Sequence, residues 1–332
     1  MRGMDTHNFV IILHGPTGVG KTECADYLAS VLPVEIVNSD MGQLYTPLTI
    51  GTAKPNWRAS ATPHHLFDIL DAPELFSVTA YRAKLKQILR TIWEQQRIPL
   101  IIGGSSYYVM ALFFPPYFAS GLSAKALASA EASKGKPFAE NDEDLWEKLH
   151  EIDPERAEQI DPADGYRIAR ALEIWQSTGV KPSAYKPVYN PIADYYFIWI
   201  TRDRDELYQR INARVVEMLN AGWVEEVKAL RGTQWEPFLC KKKIIGYTEI
   251  LDHLAGEIPY DTMVSMIQKR TRNYAKRQIT FWRMLKEKLE NALNTMDVAH
   301  KERCAIDTVN LTGSGIERYS EQLKQTIKKL LS

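Results

Sequence analysis

The sequence predicts an α/β protein: a parallel sheet flanked by helices, with a small all-helical domain inserted into it. Three observations carry this expectation. Short apolar runs of buried-strand type (Phe9–Leu13, Val34–Asn38, Pro99–Ile102, Tyr195–Ile200) alternate with helical stretches, the pattern of βαβ units. The first run leads into Gly15-Pro16-Thr17-Gly18-Val19-Gly20-Lys21-Thr22 and then into a helix, the strand–loop–helix setting of a P-loop NTPase-like core. From Pro115-Pro116 to about residue 190 the strand signals stop and helical ones remain. The core is therefore expected over 7–114 and 190–332, and the insertion over 115–189.

Composition narrows the class. The chain has 332 residues, 45% hydrophobic and 25% charged, values of an ordinary globular protein with a sizeable core. Lys plus Arg and Asp plus Glu both number 41, so binding to a polyanion must come from local clustering. Cys24, Cys240 and Cys304 are widely spaced, which argues against a disulfide framework or a zinc site. No apolar run reaches spanning length and Met1–Asn8 is too short and polar for a signal peptide. A cytoplasmic protein with no membrane partner is expected. Nothing resembles a long heptad, so a monomer is expected too.

In the loop, glycines allow a tight turn that points successive N–H groups at an anion. Lys21 adds a charge, the helix start adds its dipole, and the Thr22 hydroxyl suits Mg²⁺. The second strand ends at Ser39-Asp40, and carboxyl ends of parallel strands line the ligand crevice. Asp40 should therefore face the loop. Met41 to Pro55 reads as an ordered loop, and His64–Leu70 as a further strand. His64 and His65 point to opposite sides of a strand, so one core and one surface histidine are expected rather than a metal pair. A helix follows over Val78–Gln96.

The strand Pro99–Ile102 ends in Gly103-Gly104-Ser105, where a nucleotide hydrolase would place its Mg²⁺-holding aspartate. Asp40 is the only carboxylate ending a clear strand near the loop; a metal ligand and a general base both remain open for it. In the insertion, Ser120–Lys136 is helical at best, whereas Glu143–Ile152 and Tyr166–Gln176 read as helices. Tyr195–Ile200 returns to the sheet. Helices follow over Asp205–Ala221 and Val224–Leu230, another opens at Ile244–Tyr247, and a long one covers Thr262–Glu290. Ala305–Leu311 is a strand candidate and Ile316–Leu331 a closing helix.

Two helices carry unusual charge. Arg210 and Arg214 lie four apart, on one face; they suit a clamp on a polyphosphate or, equally, a solvated face paired with Glu206 and Glu217. The long helix gathers Lys269, Arg270, Arg272, Lys276, Arg277 and Arg283 among Tyr274, Phe281 and Trp282, after Lys241-Lys242-Lys243. Cations interleaved with aromatics suit a nucleic-acid backbone with unpaired bases. A basic solvated face with core aromatics is the alternative.

Together these segments resemble the tRNA dimethylallyltransferase family, also called tRNA isopentenyltransferases. The resemblance rests on Gly15–Thr22, on Asp40-Met41-Gly42-Gln43-Leu44-Tyr45, on Ile50–Pro55 and Pro63–Leu66, and on Gly103–Tyr108. Arg167–Glu173 with Thr178-Gly179, Arg210–Arg214, Ile245–Glu249 and Thr271–Thr280 extend it, so that it covers about residues 9 to 283. It implies transfer of a dimethylallyl group from dimethylallyl diphosphate to N6 of adenine-37 in tRNA. The P-loop would then hold a leaving group rather than a nucleotide.

By the same resemblance Asp40 would be the base, with Ser105 and Arg214 beside it in the catalytic set. Gly15, Thr17, Gly18, Gly20, Lys21, Thr22 and Arg210 would hold the diphosphate, Thr22 with Mg²⁺. Gln43, Lys54, Arg167, Arg272, Lys276, Arg277 and Gln278 would bind tRNA, the insertion gripping the anticodon stem-loop. Gln43 would read the adenine edge. Met41, Ser105, Ala163 and the order Phe281-Trp282 depart from the family pattern, without removing a charged group. Rival expectations are a prenyltransferase of free adenine nucleotides, a P-loop small-molecule kinase and a tRNA-binding protein without catalysis.

Overall fold

The computed structural model describes residues 8–115, 142–185 and 187–331. The chain divides into two compact units, one made of residues up to Leu112 together with Pro191 onward, the other of Phe113–Asn190. In the first unit β1 (Phe9–His14) runs into α1 (Lys21–Val31), followed by β2 (Val34–Asn38), β3 (His64–His65), α2 (Val78–Glu94), β4 (Ile98–Gly103) and α3 (Ser106–Phe113). Ser77 caps α2 by accepting from the Ala80 amide at 3.1 Å, the usual role of an N-cap serine.

Within Phe113–Asn190, α4 (Asp142–Ile152), α5 (Pro154–Glu158) and α6 (Gly165–Thr178) bury Leu145, Leu149, Ala157, Ile160, Ile168 and Leu172 against one another. Asp153 and Asp164 cap α5 and α6 through the amides of Arg156 and Arg167. The expected helical stretch Ser120–Lys136 lies outside the described residues.

The chain returns as β5 (Asp194–Thr201), then α7 (Arg204–Asn220), α8 (Trp223–Leu230), α9 (Trp235–Lys242), α10 (Tyr247–Leu254) and the 36-residue α11 (Tyr260–Thr295). It closes with α12 (Val298–Glu302), β6 (Ala305–Asn310) and α13 (Ser320–Leu330). Helix α9 had no sequence signal: it is eight residues long and carries Pro237, tolerated because the first turn needs no internal amide donor.

The sheet order is β3-β2-β4-β1-β5-β6, and every pairing is parallel. β1 therefore lies centrally, between β4 and β5. All but the last residue of β5 are buried, as expected of a strand covered on both faces. The strand expected over His64–Leu70 is only two residues long. Leu66 and Asp68 have φ of 62° and 50°, so the chain turns out of the sheet where Asp68 is drawn to Lys54, Arg58 and Trp57. Both histidines are half-buried rather than one core and one surface: His65 meets Glu35 at 2.7 Å and His64 the Thr62 carbonyl at 2.7 Å. The closing segment begins as a 3₁₀ turn over Ile316–Tyr319 before α13. Among the described residues, no helix is long and apolar enough to cross a membrane.

Candidate active site

The carboxyl ends of β1, β2 and β4 form the site. After β1, Gly18 and Gly20 take φ of 78° and 106°, conformations that only glycine adopts readily, and α1 starts at Lys21. The Lys21 ammonium donates to the carbonyls of Gly15 and Pro16 at 2.9 and 3.0 Å. Burial pulls its pKa down to about 8, against the opposing pull of the Asp40 carboxylate. Thr22 stands exposed on the cavity wall beside it.

Asp40 is held by its neighbours on every side. The buried Asn38 side chain accepts from the Asp40 amide at 2.8 Å and donates to the carbonyls of Asp40 and Leu66 at 3.0 and 2.8 Å. The Gly42 amide donates to Oδ1 at 3.0 Å, and the Met41 amide to the Ser105 hydroxyl at 2.8 Å. Ser105 thus fixes the residue that follows the carboxylate. The glycine-ended strand has a steric reason as well: a Cβ on Gly103 would lie 2.2 Å from the Ser39 carbonyl carbon. Burial lifts the Asp40 carboxyl above the usual carboxylate range, against Lys21, the Gly42 amide and Arg214, which favour its charged form.

A cavity of about 690 Å³ opens over the loop, lined by Lys21, Thr22, Asp40, Gln43, Arg210 and Arg214 among others. A second, of about 480 Å³, is lined by Met41, Ser105, Trp223, Lys242, Arg270 and Arg277 among others. Asp40, Arg214, Tyr274 and the Thr17–Gly18 and Thr52–Ala53 pairs line both. The two arginines of α7 differ. Arg210 is committed, donating to the Gly18 carbonyl at 3.0 Å and meeting Glu23 at 3.2 Å. Arg214 faces the cavity, its pKa lowered by burial. The Tyr274 hydroxyl donates to the Gly104 carbonyl at 3.2 Å.

Two residues expected to bind tRNA face inward instead. Gln278 is 1% exposed because it falls on the buried seam of α11 with Ala275, Trp282 and Leu285. Its oxygen accepts from the Thr17 amide at 2.9 Å and its nitrogen donates to the Gly104 carbonyl at 2.8 Å. Lys54 donates to the Tyr45 carbonyl at 2.7 Å and pairs with Asp68, its side chain 2% exposed; its ammonium ties the 45–55 loop together. Trp282 is also core, stacked on Trp199 and Phe197 with ring centres 4.8 Å away.

Gln43 lines the first cavity, its amide nitrogen donating to the Thr52 and Ala53 carbonyls at 3.0 and 3.3 Å. Arg272 donates to Asn212 at 2.6 Å. Lys276 and Arg277 are exposed, the latter over the Tyr274 ring. Arg167, in the Phe113–Asn190 unit, is exposed and pairs with Asp164 at 3.1 Å.

Sequence reasoning missed Asn38 and Glu226. Glu226 accepts from the amides of Thr49, Ile50 and Gly51 at 3.0, 2.6 and 3.1 Å and from the Tyr247 hydroxyl at 2.7 Å, clasping the loop that carries Thr52 and Ala53. A buried amide ending an apolar strand was a usable signal for Asn38, since such a group must find partners. Glu226 had none, lying among acids on an ordinary amphipathic helix.

Fold and site together define a P-loop enzyme in which the anion loop faces a single strand-end carboxylate. Residues 43–285 match the family model described as IPP transferase. The chain is 35% identical to a tRNA dimethylallyltransferase of Alkaliphilus oremlandii, over 82% of this chain and 88% of that one. It is also 35% identical to one of Thermotoga petrophila, over 87% and 94%. A solved tRNA isopentenylpyrophosphate transferase of Bacillus halodurans superposes with a TM-score of 0.64 at 30% identity, covering 97% of both chains. A eukaryotic dimethylallyltransferase acting on tRNA gives 0.72 at 26% identity, over 96% of this chain and 77% of that one. The chain belongs to the tRNA dimethylallyltransferase family.

Proposed function

We propose that this protein transfers a dimethylallyl group from dimethylallyl diphosphate to N6 of adenine-37 in tRNA, releasing diphosphate. One observation carries the reading: Asp40 lies on the wall common to two cavities, one over the phosphate loop and one rimmed by Lys242, Lys243, Arg270 and Arg277. A donor held on the loop and an adenine entering from the basic side would meet at this carboxylate.

The N6 lone pair forms the new N–C bond to C1 of the dimethylallyl group while the C1–O bond breaks and its electrons leave with the diphosphate. Asp40 accepts the N6 proton. Lys21, the loop amides and Arg214 meet the charge that gathers on the leaving group. Arg210 acts at one remove, bracing the loop through Gly18.

Magnesium takes few protein ligands and otherwise water and substrate oxygens. The exposed Thr22 hydroxyl would hold it, and the ion would neutralise diphosphate charge. Exposed Lys276 and Arg277 on α11 and Arg167 in the insertion supply cations for the anticodon stem-loop. In this reading the protein acts as a monomer, in the cytoplasm, on the tRNA found there.

The test is a mixing assay: labelled dimethylallyl diphosphate with tRNA carrying A36-A37-A38, with AMP, or with neither. Label is expected on tRNA alone. Label on AMP but not on tRNA, or ATP turnover with a small acceptor, would overturn the reading.

A further inference from the structure

Successive residues at the start of α3 have opposite fates. Tyr108 is buried and stacks on Tyr81, ring centres 4.1 Å apart. Tyr107 is 68% exposed, and its ring lies 6.0 Å from the half-buried Phe281 of α11, tilted by 60°. A single exposed aromatic needs no partner, but here a second ring and the surrounding charges point to an occupant. Phe281 follows Arg277 by four residues, hence on the same face of α11, and Lys276, Arg277 and Arg283 are exposed along that helix. Arg277 also lines the second cavity together with Ser105, two residues before Tyr107. The aromatic pair is therefore close in sequence to two residues that line this cavity, Ser105 and Arg277, and Phe281 shares its helix with a row of exposed cations. An apolar protein surface would leave those cations without counter-charges, whereas a single-stranded nucleic acid brings a π-face and a phosphate with each nucleotide.

We propose that Tyr107 and Phe281 form a stacking shelf for an unpaired base of the RNA substrate, a neighbour of the nucleotide that enters the cavity. Arg277 meets the phosphate between the two. The shelf rests on the reading of the chain as a tRNA prenyltransferase, and it adds the requirement that a base beside the target be unstacked and held by the protein. It reads the face of that base rather than its edge, so it tolerates any base there.

The test uses the full chain with an anticodon stem-loop RNA, intact or carrying an abasic nucleotide immediately 5′ or 3′ of the target adenine. On the intact RNA, Tyr107→Ala is expected to raise KM for RNA about tenfold and to leave KM for dimethylallyl diphosphate unchanged, while Tyr107→Phe behaves as the parent protein. On one of the two abasic RNAs, parent and Tyr107→Ala proteins should show the same KM. A neutral Tyr107→Ala, or a penalty that persists on both abasic RNAs, overturns the shelf. Failure of the parent protein to prenylate the intact RNA would sink the proposed function instead. The shelf would then be judged by the same ratios read as hairpin affinity.

Discussion

Gln278 accepts a hydrogen bond from the Thr17 amide at 2.9 Å, a link between residues 261 apart in sequence. The helix that carries the exposed cations Lys276 and Arg277 is thereby fastened to the phosphate loop. Replacing Gln278 with Leu would leave the part-buried Thr17 amide without its partner and the Gly104 carbonyl with the Tyr274 hydroxyl alone, at about 1–3 kcal/mol for an unsatisfied group. We expect KM for dimethylallyl diphosphate to rise and kcat/KM to fall by roughly one to two orders of magnitude. Steady-state kinetics checks this; an unchanged KM for the diphosphate would mean that the link is dispensable.

The pH profile should be bell-shaped. Asp40 acts as its anion, and burial raises its pKa, so kcat/KM should fall on the acid side at a pH above the ordinary carboxylate range. Lys21 acts as its cation and has a pKa of about 8, so kcat/KM should fall again as pH rises through that value. Lys21→Arg, which stays charged, is expected to remove the alkaline limb from whatever activity it retains. Asp40→Ala should abolish transfer and leave tRNA affinity intact, as measured by filter binding.

Arg214 and Arg210 make a matched pair for mutation. Arg214→Ala removes a cation facing the cavity, and we expect a loss of about a hundredfold in kcat/KM, the scale of removing one transition-state donor. Arg210→Ala removes a brace already satisfied by Gly18 and Glu23 and is expected to lower activity by about tenfold or less, as one partly exposed hydrogen bond would. Equal losses would contradict the distinction.

Changing Lys276 and Arg277 together to Ala should weaken tRNA binding at every sequence tested. The slope of log affinity against log salt should flatten by about one to two, in proportion to the phosphate contacts removed. Binding titrations at several salt concentrations read this directly.

Glu226→Ala takes the shared acceptor from three successive amides and from the Tyr247 hydroxyl. We expect a destabilisation of about 2–3 kcal/mol in denaturant unfolding. Glu226→Gln keeps one acceptor oxygen and should lie between the two.

Much of this was legible in the chain before its structure. The P-loop, the strands around it and Asp40 at the end of β2 announce themselves because apolar runs, glycines and strand-end carboxylates carry their meaning locally. Lys54 and Gln278 were aimed the wrong way because their roles depend on partners far along the chain. A lysine folded back on its own loop carbonyls looks, in sequence, like any basic residue in a polar loop. A glutamine in a basic helix looks exposed until the helix phase is known, and the buried seam through Ala275, Gln278 and Trp282 was hidden by cations on adjacent positions. The contrast between Arg210 and Arg214 was beyond spacing altogether, since both share one face and only their neighbours differ.

The glycine that ends β4 has a genetic consequence. With the Ser39 carbonyl carbon 2.2 Å from where its Cβ would stand, any side chain at position 103 has to push the main chain that carries Asp40. A substitution there would impair the reaction without touching a ligand. Compensating second-site changes are expected where side chains hold these strand ends, as the Tyr81 hydroxyl does at the Asn38 carbonyl and Ser105 at the Met41 amide. At this point the reaction depends on the distance between two backbones rather than on any side chain that meets a ligand.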